Sequence, residues 1–164
     1  MVVHRLAKAS DSVTAGSCPA LYSTSDPARM IGQGKILTSP GYSPADPTWM
    51  IWRGPAISPT ERRALLEVGD DETAVALPTE VVFLRAAEYA AANSDGTLAA
   101  LLEAFLDARG LRTGQPLAPE ATGDGLAVAI RAETVLRSVA KHATENGDDN
   151  LPGQIDAFLA ERGL

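Results

Sequence analysis

Residues 72–93, ETAVALPTEVVFLRAAEYAAAN, decide the fold class of this chain. ETAVAL alternates apolar and polar side chains and stops at Pro78, which suits a strand. From Pro78 or Thr79 onward the spacing becomes helical, with a proline at the first helical position and an end before Ser94, Asp95 and Gly96. A strand that passes straight into a helix calls for a mixed fold.

Downstream, TLAALLEAFLDARG places Leu98, Leu101, Leu102, Phe105 and Leu106 on one helical face, with Gly110 at the cap. Residues 112–125, RTGQPLAPEATGDG, read as a linker. LAVAIRAETVLRSVAKHATENG then reads as one longer helix with Val128, Val135, Leu136 and Val139 on its apolar side. QIDAFLAERGL closes the chain with a last helical turn. EAFLDARGL at 103–111 and DAFLAERGL at 156–164 resemble each other; convergent helix ends with Arg-Gly-Leu stops explain one such pair more simply than duplication.

Upstream, Ser58, Pro59 and Glu61 fit an N-cap, a first-turn proline and a capping-box glutamate of a short helix ending near Gly69. Residues 39–60 carry five prolines and two glycines and read as a long loop. MIGQGKILTS and CPALYSTS read as two further strands, Gly32 and Gly34 marking a bend or close backbone approach. Residues 1–17 are polar, small and aperiodic and read as a flexible N-terminal tail.

The expected fold is therefore α+β: a small antiparallel or mixed three-stranded sheet with packed helices over residues 18–93, followed by a helical C-terminal region over 96–164. A length of 164 residues suits one core with an appendage. Aromatic residues are 5%, so Leu, Val, Ile and Ala must carry that core.

Residues 1–70 hold seven Lys or Arg against six Asp or Glu, or +1; residues 71–164 hold seven against fifteen, or −8. An acidic half repels phosphate backbones, so direct nucleic-acid binding is disfavoured. The single cysteine, Cys18, has no partner for an internal disulfide, and the first 17 residues lack a signal-peptide apolar run. Cytoplasmic localisation with no membrane segment is expected.

No catalytic or metal constellation stands out. One Cys with His4 and His142 does not supply a structural zinc set. GDDET at 69–73 and GDDN at 147–150 lack the alternation of a calcium loop, and GQGK at 32–35 lacks the length and the Ser or Thr of a phosphate loop. No cofactor or metal is called for. His142, flanked by polar residues, reads as a solvent-facing helical histidine. Cys18 is the catalytic alternative, as a nucleophile or redox thiol, although free cysteines are more often buried and inert.

The binding candidates are Trp49, Met50, Trp52 and Arg53, in the TWMIWR stretch of the proline-rich segment. Trp and Arg are favoured anchors because they bury large surfaces and keep a polar handle. The bland reading is that the indoles plug the core. A third reading is a homo-oligomer with a seam of Leu102, Phe105, Phe158 and Leu159.

CPALYST, MIGQGKILTSP and ETAVALPTEVV, in that order, resemble uncharacterised small actinobacterial proteins opening with Cys-Pro-x-Leu-Tyr-x-Thr, over residues 18–85. The resemblance implies a regulatory accessory role beside a helix-turn-helix regulator. ALPTEVVFL is also similar to the strand-proline-helix element of swapped-hairpin transcription factors, without their DNA-facing basic residues. Together these favour a non-enzymatic protein-binding function.

Overall fold

The computed structural model describes residues 3–8, 20–24, 28–37, 45, 49–54, 57–64, 72–111 and 126–162. In chain order the elements are β1 (Val3–Lys8), β2 (Ala20–Thr24), β3 (Arg29–Ile36), β4 (Trp49–Gly54), α1 (Pro59–Ala64), β5 (Glu72–Pro78), α2 (Thr79–Ala92), α3 (Gly96–Ala108), β6 (Leu126–Arg131), α4 (Ala132–Glu145) and α5 (Leu151–Glu161). The α+β class holds, but the sheet has six strands and not three. Its order is β1-β2-β3-β6-β4, with β5 on β3, and every pair is antiparallel.

Three expectations fail for identifiable reasons. Residues 3–8 of the expected tail form β1 by pairing with β2, so a partner strand supplies the order that composition does not. Residues 49–54 of the expected loop form β4, because the flanking prolines stop short of the paired residues. Residues 126–131, expected as the start of a helix, form β6 between β3 and β4, so the C-terminal region is not wholly helical. Val128 and Ile130 point into the core by alternation, which a short apolar run does not distinguish from helical spacing.

The main core lies between the sheet and the helices. Leu21, Met30, Met50, Trp52, Val75, Leu77, Val128 and Ile130 meet residues of α2, α3, α4 and α5 there. A smaller cluster of Ala20, Tyr22, Ile31 and Ala74, with Ile57 against it, fills the other face at β2, β3 and β5. Within it the Tyr22 hydroxyl donates to Gln33 Oε1 at 2.8 Å, satisfying two buried polar groups.

The chain is internally duplicated. Residues 72–111 and 125–164 align without a gap at an offset of 53 (146 − 93), and 16 of the 40 positions are identical. Each copy folds as strand, helix, helix: β5-α2-α3 and β6-α4-α5. The similar helix ends are thus the last turns of a repeat, and the convergence reading is corrected.

The local geometry repeats with the sequence. Pro78 and Arg131 both end their strands in extended conformation, with φ, ψ of −63°, 137° and −65°, 142°. Asn93 and Asn146 end the first helices, each with Nδ2 donating at 2.8 Å to the carbonyl four residues back. The next residue is left-handed in both copies, Ser94 at φ 68° and Gly147 at φ 83°. The backbone N–H of Asp95 and of Asp148 then donates at 2.9 Å to Ala90 and to Ala143, closing a Schellman motif. Asp95 accepts at 2.9 Å from the N–H of Leu98 as the N-cap of α3, and Asp148 accepts at 2.9 Å from the N–H of Leu151, the first residue of α5.

The two copies also meet reciprocally. Arg109 lies 4.2 Å over the Phe105 ring and donates to the Asn146 carbonyl; Arg162 lies 3.9 Å over Phe158 and donates to the Asn93 carbonyl. His142 meets Phe105 edge-on at 6.0 Å, and Tyr89, its counterpart, meets Phe158 edge-on at 6.2 Å. Contacts of residue i with j matched by j′ with i′ are the mark of a two-fold interface, here within one chain.

The first strands obey the same relation at an offset of 20 (49 − 29). β3 (RMIGQG from Arg29) pairs with β5 as Met30↔Leu77, and β4 (WMIWRG) pairs with β6 as Met50↔Ile130, Leu77 and Ile130 being equivalent. A Cβ on Gly34 would meet the Ala129 carbonyl, and one on Gly54 would meet the Ala76 carbonyl, again an exchanged pair.

Candidate functional site

β4 carries the residues singled out in the sequence, and its alternation divides them. Met50 and Trp52 point into the main core at 9% and 1% exposure, while Trp49 and Ile51 are half-buried and Arg53 is exposed on the opposite face. Of the two indoles, Trp52 therefore plugs the core and Trp49 does not, and Met50 is buried beside Trp52. Trp49, Ile51 and Arg53 remain as an outer strip.

That strip borders on cations that sequence reading missed. Arg131 pairs across the strands with Trp49 and sets its guanidinium 4.4 Å over the indole. From α2, Arg85 sets its guanidinium 4.3 Å over the Trp52 ring and donates to the Ile51 carbonyl. Cation–π contacts of this kind contribute about 0.5–2 kcal/mol, more where water is excluded. Burial lowers the Arg85 pKa, against which the Glu88 carboxylate acts, and arginine stays cationic throughout the physiological range. The signal for Arg85 was a lone guanidinium inside VVFLRAA, an otherwise apolar helical run.

Trp52 Nε1 is buried without a hydrogen-bond partner among the described residues. Such a donor costs about 1–3 kcal/mol, which the buried indole area and the Arg85 contact offset. His142 is the other such case. At 5% exposure it is not the solvent-facing histidine expected from its neighbours, and its Nδ1 has no partner among the described residues. Phe83 at 5.5 Å and Phe105 at 6.0 Å flank its ring edge-on, so it serves the seam between the repeats.

Leu102, Phe105, Phe158 and Leu159, expected as an oligomer seam, are 0%, 2%, 1% and 3% exposed within a single chain. The repeats use them against each other, which corrects that seam. Cys18 and His4 are placed differently: Cys18 lies outside the described residues, and His4 is in β1, of whose side chains nothing is described. Among the described residues no group of three or more His, Cys, Asp or Glu could hold a metal ion, and no helix is long and apolar enough to cross a membrane.

No family model, curated protein or solved structure matches this chain.

Proposed function

We propose that this chain is a non-enzymatic protein-binding or regulatory accessory protein that meets its partner through the outer face of β4. The observation that carries the reading is the strip itself. On the strand that ends the sheet path Arg53 is exposed and Trp49 half-buried on the outer face, with Met50 and Trp52 buried behind them. Rigid aromatic and guanidinium groups on a preorganised strand lose little entropy on binding, which is what an anchor requires. A helix-turn-helix regulator is the partner class that the sequence resemblance suggests.

Affinity capture from a lysate of the source organism tests this, comparing the native chain with Trp49→Ala/Arg53→Glu. Trp52 stays untouched because it is core. A protein retained by the native chain and lost by the variant, with unchanged far-ultraviolet circular dichroism, supports the reading. Equal capture by both chains removes β4 as the contact surface.

A further inference from the structure

The internal two-fold relation identifies a position that one repeat fills and that, among the described residues, the other leaves open. On β3, the edge away from β5 pairs with β2, as Gln33↔Ala20, Gly32↔Leu21, Ile31↔Tyr22 and Met30↔Ser23. The equivalent residues on β4 are Arg53, Trp52, Ile51 and Met50, and among the described residues β4 pairs with β6 alone. The helix beside each edge differs in the same sense. α4 packs against β1 and β2, and its Thr134 and Ser138 are 1% and 0% exposed. Their counterparts on α2, Val81 and Arg85, stay half-buried, as does Leu84.

The side chains at the two positions differ in charge. Where β2 is docked, the edge offers Gln33 and the helix offers Ser138, both neutral and buried. At the open position the same two places hold Arg53 and Arg85, and Arg85 already donates to the Ile51 carbonyl. Size differs too. At Gly32 the space over the strand is taken by Leu77, Ile130 and, from β2, Leu21, whereas the equivalent position on β4 carries the buried Trp52 side chain itself.

From this we propose that the open edge of β4 accepts an extended acidic segment of a partner protein, added antiparallel in the place that β2 holds on β3. The proposal rests on the protein-binding reading and specifies its occupant. Strand addition supplies main-chain hydrogen bonds, and alternate side chains supply the selectivity. The register follows from β2: an acidic residue opposite Arg53, a small one opposite Trp52, and an aromatic or β-branched one opposite Ile51, where β2 has Tyr22. The Arg85 guanidinium, which holds the Ile51 carbonyl when no strand is present, turns to an incoming carboxylate.

The probe is a capped eight-residue peptide with Glu-Ala-Tyr at its centre, set to face Arg53, Trp52 and Ile51, titrated into the full chain beside the same peptide with Lys for Glu. Binding is followed by anisotropy and by amide hydrogen exchange over β4. The expected result is binding of the Glu peptide that weakens with salt and slows exchange across residues 50–53. Arg53→Glu should weaken the Glu peptide about fivefold and favour the Lys peptide by a similar factor, the scale of one cross-strand charge pair. Because Arg53 is exposed, that variant should fold. Equal binding of both peptides, no binding, or binding without protection of β4 would overturn strand addition. If the captured partner depends on Trp49 and Arg53 yet leaves β4 exchange unchanged, the protein-binding reading stands and strand addition alone falls.

Discussion

The two repeats share a backbone and differ in what surrounds them, and the pattern of identity separates the two demands. Identical pairs include core residues (Val75 and Val128, Val82 and Val135, Leu98 and Leu151, Phe105 and Phe158), residues of the turn between the helices (Asn93 and Asn146, Asp95 and Asp148) and the crossing arginines (Arg109 and Arg162). These are the groups that set helix length, turn the chain and join the halves. Differences include positions 81, 85 and 89 against 134, 138 and 142, where one copy meets the β1–β2 hairpin or a ring of different shape. Packing within the repeat is under one constraint and the outer faces are under another.

The strand crossing gives the strongest way to break this equivalence. Gly34→Ala and Gly54→Ala each push a methyl group into a main-chain carbonyl of the other half, at Ala129 and at Ala76. Backbone does not yield as a side-chain end does, so each should cost about 3 kcal/mol, the upper range for overpacking. Urea denaturation should find the two losses alike. Gly153→Ala, with nothing within 4 Å of its added carbon, should cost nothing. A large loss at only one of the first two would mean that the halves are equivalent in outline but not in load.

The arginine pair sharpens the comparison on a smaller scale. The bond from Arg162 to Asn93 is partly buried, whereas that from Arg109 to Asn146 is exposed. Arg162→Ala should therefore cost about 1–2 kcal/mol and Arg109→Ala less than about 1, because solvent screens the second. The double variant should lose the sum, since the two arginines share no partner. Marked coupling between them would indicate that the seam closes as one cooperative unit.

How much of this was legible follows from where the signals lie. Helices α2 and α3 are legible to within a residue or two, because their apolar spacing and stop residues agree. β4 was hidden because five prolines in 39–60 outweighed the six residues that pair with β6. β6 was absorbed into α4 because Arg131 marks the junction less visibly than Pro78 does in the other copy. The gapless alignment of 72–111 with 125–164 would have exposed that junction, since Pro78 and Arg131 fall at the same place. Trp49 and Arg53 stand out by residue type alone. Arg85 does not, because its contacts with Ile51 and Trp52 depend on α2 lying beside β4, which is a fact of topology.

His142 supplies the finest contrast, because Tyr89 stands at the same place in the other copy and has no charge to gain in acid. Burial lowers the His142 pKa below the ordinary 6.5; the Glu145 carboxylate acts against this, and Arg109, facing it from α3, adds to it. The unfolded chain therefore takes up the proton at a higher pH than the folded chain does. Stability is full above about 6.5 and falls as the pH drops from there toward the folded pKa, below which this group causes no further loss. His4 is a second imidazole in the chain, so the difference between the native chain and a His142 variant in the interval just below 6.5 is what isolates this one. His142→Tyr, which gives the second repeat the residue of the first, should flatten that interval in thermal melts between pH 7 and pH 5 while leaving the acid unfolding below it. A slope that survives the substitution would mean that the seam is not where the proton is felt, and the two ring pairs would then be equivalent in function as well as in geometry.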